Sequence, residues 1–473
     1  MSSRPAIALA LSCTLLLSGC LRLGKDYVRP DLPLPSAWRS TAAASPAFSD
    51  GAANLPQWWQ QLGDPTLEQL VDTALRASPD MRTALARLDE SRARRDFAAG
   101  ARFPTLRGGP QVSRSRSAAA FVNTGSTTLY QLGFDAAWEP DLFGRIGRGI
   151  EAAEADLEAR QADLDGVRVS LAAEVALNWI EWQRARQRLQ IARNNLQTQR
   201  DTRQIAEWRA MAGLGTQLEV DQARANAEQT RASLPRLETD LAAAANRLAV
   251  LTGQAPGSVD DLLVTSAAPV RPADTVAVGI PADTLRQRPD VRAAERRLAA
   301  ETARTGQRTA DLYPTLNLTG TFGWRSLDVG GLGDPANVFR SLTGSLLQTL
   351  FDGGRIRANI RIQNALQENA LAQYEKSVLT ALEEVENALV SYASNRERIE
   401  ALQAAVTAAR SAAELAAQRY QSGVTDFQRL LDAERTRLSA EDALASAEAE
   451  GLSALVTLYK ALGGGWQDTA VIN

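Results

Sequence analysis

From Val378 to Tyr420 apolar residues return at steps of three and four: Val378, Leu382, Val385, Leu389, Tyr392, then Ile399, Leu402, Val406, Ala409, Ala413, Ala416 and Tyr420. This is the 3.5-residue seam of helices in coiled-coil contact. The rhythm stops at Gly423-Val424-Thr425-Asp426 and resumes with Leu430, Leu431 and Ala433. It predicts an antiparallel helical hairpin from about Arg355 to Ala461, with a sharp tip. An arm of roughly 65 residues, at about 1.5 Å per residue, is on the order of 100 Å long. No ordinary globular core needs such a helix.

A second pattern has period two. Leu316, Leu318, Phe322 and Trp324 alternate with Asn317, Thr319, Thr321 and Gly323, and Tyr130, Leu132, Phe134, Ala136 and Trp138 alternate with Gln131, Gly133 and Asp135. Strands about ten residues long with aromatic ends suit a bilayer, apolar toward lipid and polar toward a lumen. Less regular partner strands are expected at Leu106 to Arg116 and Val338 to Leu350. Pro104 and Pro314 end the helices that precede these strands. Another helical run opens between Pro56 and Leu75 and is expected to continue to about Arg102.

The chain also repeats itself. A shift of 210 residues lays Leu75–Leu106 on Leu285–Leu316 without gaps, with 13 of 32 pairs identical, among them Pro79/Pro289, Asp80/Asp290 and Leu88/Leu298. The same shift sets Gly144-Arg145 on Gly354-Arg355 and Gly213 on Gly423. The expected organisation is a leader (1–19), a Pro- and Ala-rich strap (20–60), a first repeat (61–252), a Pro-rich connector (253–283), a second repeat (284–462) and a short tail (463–473). Each repeat reads as helix, two strands, long helix, tip (near 213 and near 423) and returning helix. Four strands cannot cross a bilayer as an open sheet, because the edge strands would present unpaired N–H and C=O groups to hydrocarbon. Further copies must close the barrel: two give eight strands, three give twelve.

Composition narrows the chemistry. Histidine is absent, which removes His-based triads and His metal ligands. Lysine occurs only at Lys25, Lys376 and Lys460, none in a Gly-rich loop, so a P-loop NTPase is excluded. The formal charge of −3 argues against a nucleic-acid partner. No cofactor, metal or catalytic site is expected. Arg4, the apolar run Ala6–Leu17 and Leu17-Ser18-Gly19-Cys20 have the form of a secretory leader ending in a bacterial lipobox. Cys20 would then carry an N-palmitoyl group and an S-diacylglycerol. Leu21 stands where an Asp would resemble the inner-membrane retention pattern, so the lipid points to the outer membrane. Cys13 would leave with the leader, and the mature chain would hold no disulfide.

Several motifs, in order on the duplicated frame, resemble one family. They are Leu17-Ser18-Gly19-Cys20, Trp58-Trp59 with Asp64-Pro65, and Trp138-Glu139-Pro140-Asp141-Leu142-Phe143-Gly144-Arg145. They continue with Arg288-Pro289-Asp290-Val291-Arg292, Tyr313-Pro314, Phe351-Asp352-Gly353-Gly354-Arg355 and Ala461-Leu462-Gly463-Gly464-Gly465-Trp466. The chain resembles the TolC-like outer-membrane efflux proteins, in their lipidated OprM/NodT branch. The resemblance implies a mainly α fold with membrane β structure: a homotrimer forming a 12-stranded β-barrel continued by a periplasmic α-helical barrel. It implies the exit duct of a tripartite pump for drugs or other small molecules, with a periplasmic adaptor and an inner-membrane transporter of the resistance-nodulation-division class.

The resemblance also places closure at the helix tips. Asp432 falls where the family has an inward-facing Asp, so three copies would form a carboxylate ring that attracts cations. Gln428 stands where that branch often has a Leu plug, which argues against an apolar constriction here. Asp426 lies in the tip, and Arg419 and Arg435 are the candidates for holding the tips together. The tips Gly213-Leu214-Gly215-Thr216 and Gly423-Val424-Thr425 resemble the family's adaptor contact, and glycine allows the positive φ of a chain reversal. Two other readings stay open, a type I secretion duct and a lipid-anchored coiled-coil scaffold without a pore. Lipid-facing strands speak against the scaffold.

Overall fold

The computed structural model describes residues 22–40, 48–49, 55–116, 126–266, 276–278 and 281–466. Cys20 and the lipobox lie outside them. The principal elements are helices α1 (Pro65–Ala77) and α2 (Pro79–Gly100), strands β1 (Thr105–Ser115) and β2 (Thr127–Trp138), and helices α3 (Arg145–Met211) and α4 (Gln217–Leu251). They are followed by α5 (Pro289–Ala310), β3 (Thr315–Ser326), β4 (Val338–Leu347), α6 (Arg355–Gln421) and α7 (Phe427–Ala461). Helices α2, α3 and α4 return as α5, α6 and α7 with both ends displaced by 210 residues (79 to 289, 145 to 355, 217 to 427). The single run expected between Pro56 and Arg102 is instead broken. Ser78 is extended (φ −56°, ψ 137°) between α1 and α2, because a proline at 79 disfavours helical geometry in the residue before it.

The chain forms two compact units. The first gathers the described residues up to 31 with 87–161 and 293–375. It holds a four-stranded antiparallel sheet in the order β1-β2-β3-β4. Pairing sets Leu106 opposite Ala136, Leu132 opposite Trp324, Phe134 opposite Phe322 and Gly320 opposite Leu342. Side chains alternate along a strand, so these residues share one face. The other face carries Gln111, Gln131, Asp135, Asn317, Thr321 and Ser341. On the apolar face Phe134, Phe322 and Leu342 are exposed, as expected of a surface that lipid covers. On the polar face Gly133 and Gly323 pair so closely that a Cβ on Gly323 would lie 2.3 Å from the Leu132 carbonyl oxygen. Strands β1 and β4 keep one unpaired edge each, the edges that other copies of the chain complete.

In the same unit Arg148, 1% exposed, ties the strap to the start of α3. Its guanidinium donates to the carbonyls of Leu23 and Gly24, each at 3.0 Å, and to the carboxylates of Asp26 and Glu151, each at 2.8 Å.

The second unit gathers 32–86, 162–292 and the described residues from 376. Trp58 and Trp59 are buried, and Trp58 stacks on Tyr459 at 5.4 Å. Asp64 caps α1 through the amides of Thr66 and Leu67 at 2.7 and 3.0 Å, and accepts from Ser266 Oγ at 2.9 Å. Along α6 the predicted seam is inside: Val378, Val385, Leu389, Tyr392 and Val406 are buried. The arms of each hairpin are laced by ion pairs, Arg193–Glu238 between α3 and α4 and Arg410–Glu441 between α6 and α7. The hairpins meet along α3 and α7, where Arg188 makes a two-pronged pair with Asp442 at 2.6 and 3.1 Å. No described helix is long and apolar enough to cross a membrane.

Candidate gate and docking site at the helix tips

Four helix ends meet in the second unit: the C-termini of α3 and α6 and the N-termini of α4 and α7. Ala206, Ala223, Tyr420, Phe427, Leu430 and Leu431 form their common core, with the Tyr420 and Phe427 rings edge-on at 5.5 Å. The two turns are built alike. After α3 the Leu214 amide donates to the Arg209 carbonyl at 2.8 Å and the Gly213 amide to Ala210 at 3.1 Å. After α6 the Val424 amide donates to Arg419 at 2.9 Å and the Gly423 amide to Tyr420 at 3.1 Å. These are Schellman closures, which require a left-handed residue; Gly213 and Gly423 supply it at φ 71° and 76°. Each following helix is capped at once, α4 by the Thr216 hydroxyl on the Glu219 amide (3.3 Å) and α7 by the Asp426 carboxylate on the Arg429 amide (2.9 Å).

The gate candidates fall in different places. Asp432 is exposed on α7 and accepts from Gln428 Nε2 at 3.0 Å. Asp426 is the cap just described. Arg419 and Arg435 are exposed, and among the described residues neither makes an ion pair within the chain. Arg209 makes the intrachain contact across the tips. It sits at the first-repeat position equivalent to Arg419 and donates to the carbonyls of Tyr420 and Leu214 at 3.0 and 3.2 Å. Its guanidinium carbon lies 4.8 Å from the centre of the Tyr420 ring. Tyr420 in turn donates its hydroxyl to Glu219 at 3.4 Å, and burial, with that carboxylate beside it, pushes the phenol up and keeps its proton on. The link therefore joins the ends of α3 and α6 to the start of α4.

Around the docking residues the repeats differ. Leu214 and Val424 are exposed, and Trp208, Met211 and Leu218 beside the first tip are exposed as well. A shift of 210 residues turns those three into Gln418, Gln421 and Gln428. Gly215 serves packing rather than positive φ: a Cβ there would lie 3.0 Å from Glu219 Oε2. Thr425 is half-buried in the second turn.

Farther along α7, Glu434 is 3% exposed. It accepts from the Thr202 hydroxyl of α3 at 2.9 Å, and its second oxygen is buried without a protein partner. Burial pushes its carboxyl up from the usual range, against the opposing pull of Thr202 and Arg437. A raised folded pKa means that the folded state holds its proton while the unfolded state has already lost it. Stability from this group is complete below the unfolded value and declines as pH rises toward the folded one. Glu434→Gln, permanently neutral, is expected to melt above the parent at neutral pH, with the gap closing toward acid. Melting curves across pH check this, and a gap that stays constant would refute it.

A sheet apolar on one face and open at both edges, joined to long paired helices with glycine reversals, defines a membrane duct that assembles from copies of one chain. The chain belongs to the outer membrane efflux protein family, whose sequence model matches residues 70–254 and again 280–464. It is 31% identical to outer membrane protein OprJ of Pseudomonas aeruginosa, over 98% of this chain and 97% of that one. It is 30% identical to nodulation protein T of Rhizobium leguminosarum bv. trifolii, over 97% of each. The solved outer-membrane channel OprN superposes with a TM-score of 0.89 at 40% identity, over 94% of this chain and 100% of that one. The chain is thus an efflux channel component of the outer membrane reaching into the periplasm, working as a trimer with an adaptor and an inner-membrane pump.

Proposed function

We propose that the chain is the exit duct for drugs or other small molecules delivered by a transporter of the resistance-nodulation-division class, and that both docking and closure act at the helix tips. The carrying observation is the pair of matched reversals, whose glycine backbones are open to a partner: a Cβ on Gly213 would meet nothing within 4 Å. Adaptor hairpins dock on Gly213, Leu214, Gly215 and Thr216 and on Gly423, Val424 and Thr425. The first tip offers apolar contact through Trp208 and Met211, and the second offers amides. Closure gathers three Asp432 carboxylates, with Gln428 beside each and Asp426, Arg419 and Arg435 around them. Cys20 carries the lipid that holds the strap in the outer membrane.

Three carboxylates in one constriction attract cations and resist anions. Asp432→Ala is expected to raise single-channel conductance in planar bilayers and to weaken inhibition by divalent or trivalent cations. Unaltered conductance and unaltered cation block would rule Asp432 out as the ring.

A further inference from the structure

The apolar face of the sheet is almost free of charge. Along the described strands it carries no Asp, Glu or Lys, and its only charged side chains are Arg114 on β1 and Arg340 on β4. Both lie at one end of the sheet. Arg114 is the next-to-last residue of β1 and Arg340 the third of β4. That end leads into the inter-strand loops, opposite the end joined to the helices, and so faces the cell exterior. Arg116 follows immediately past β1. All three are exposed, and among the described residues none makes an ion pair; Arg114 donates only to the Ser126 hydroxyl at 3.1 Å.

A guanidinium on a lipid-facing strand is costly at mid-bilayer and tolerated near the interface, where its stem lies along apolar surface and its head reaches headgroups. Strands β1 and β4 are also the two open edges. When copies close the barrel, β4 of one copy runs antiparallel beside β1 of the next. Arg340 then stands at the same rim as Arg114 and Arg116 of the neighbouring copy, with no acidic residue among the described strand residues of that face. Asp328 and Asp334, in the β3–β4 connection at this end, are engaged by that connection's own amides. Each seam between copies thereby collects three guanidinium groups that neither chain could assemble alone.

We propose that these three seams are binding sites for a phosphorylated glycolipid of the outer leaflet. Its phosphates meet the bidentate forks of Arg340, Arg114 and Arg116, and its acyl chains lie along Leu342 and Phe322 below them. Arginine suits this task because its planar fork matches phosphate oxygens.

The test uses the purified full-length trimer in non-ionic detergent, titrated with bis-phosphorylated lipid A, with the same lipid after enzymatic removal of both phosphates, and with inorganic pyrophosphate. The intact lipid is expected to bind in a salt-sensitive manner. Arg340→Gln or Arg114→Gln is expected to weaken binding roughly tenfold, the loss of one charge-assisted contact, and removing both phosphates is expected to weaken it further and to abolish its salt sensitivity. Equal binding of intact and dephosphorylated lipid would overturn the proposal. So would binding of pyrophosphate with none of the lipid. Should Arg340→Gln fail to form trimers, the dephosphorylated lipid on the parent protein and Arg116→Gln, which lies outside the strand, decide the question alone.

Discussion

Gly423→Val is expected to abolish pump-dependent resistance while leaving trimers in the outer membrane. The argument is conformational. At φ 76° a β-branched residue is a genuine outlier, and the left-handed conformation costs roughly 1–2 kcal/mol even for an ordinary L-residue. Space is not the obstacle, since the nearest atoms to an added Cβ are the Arg209 guanidinium nitrogens at 3.8 and 4.0 Å. Relief of the strain would come by opening the bonds that close the turn, Val424 to Arg419 and Gly423 to Tyr420, and so by moving the backbone offered to the adaptor. The strands that build the barrel contain no residue of this turn, so assembly is spared. Gly423→Asn separates strain from bulk, because asparagine enters the left-handed region far more readily, and it is expected to retain most resistance. Drug susceptibility of a complemented deletion strain, with trimers counted on unheated gels, reads both variants. Normal resistance in the valine variant would remove the tip from the docking surface.

How far the sequence discloses this depends on the signal. Long-range periodicity is robust: the α6 seam, the alternation of β2 and β3 and the 210-residue repeat all reach the structure because each is written many times over. Single residues are not. Glu434 looks like a surface acid in Asp432-Ala433-Glu434-Arg435, although its place four residues after Leu430 and three after Leu431 puts it on the buried stripe. The break at Ser78 was announced by Pro79, but the helical rhythm on both sides hides it. The clamp at the tips shows the limit best. The repeat makes Arg209 and Arg419 equivalent, and local sequence does not say which one finds partners. That choice depends on the aromatic Tyr420 in the last turn of α6, where α3 has Ala210, and on which carbonyls the four helix ends leave facing inward.

The same pair of arginines supplies the sharpest mechanical test. Among the described residues Arg209 is the tip guanidinium that reaches across the hairpins, donating to Tyr420 of the other hairpin and Leu214 of its own and covering the Tyr420 ring. On the proposed reading that the tips close the duct, opening parts α6 and α7 from α3 and breaks the Tyr420 contact. A hydrogen bond to a charged group contributes about 1.5–3 kcal/mol. Removing a contact that opening breaks shifts the closed-to-open ratio by roughly ten- to a hundredfold. Arg209→Ala is therefore expected to convert brief openings in planar bilayers into sustained high conductance, and to admit vancomycin into cells. Arg419→Ala, at the equivalent position but with no contact across the tips among the described residues, is expected to behave as the parent. Arg209→Lys restores one donor without the fork or the flat stacking surface, and is expected to fall between. If Arg209→Ala stays closed, or Arg419→Ala opens as fully, closure does not depend on this clamp.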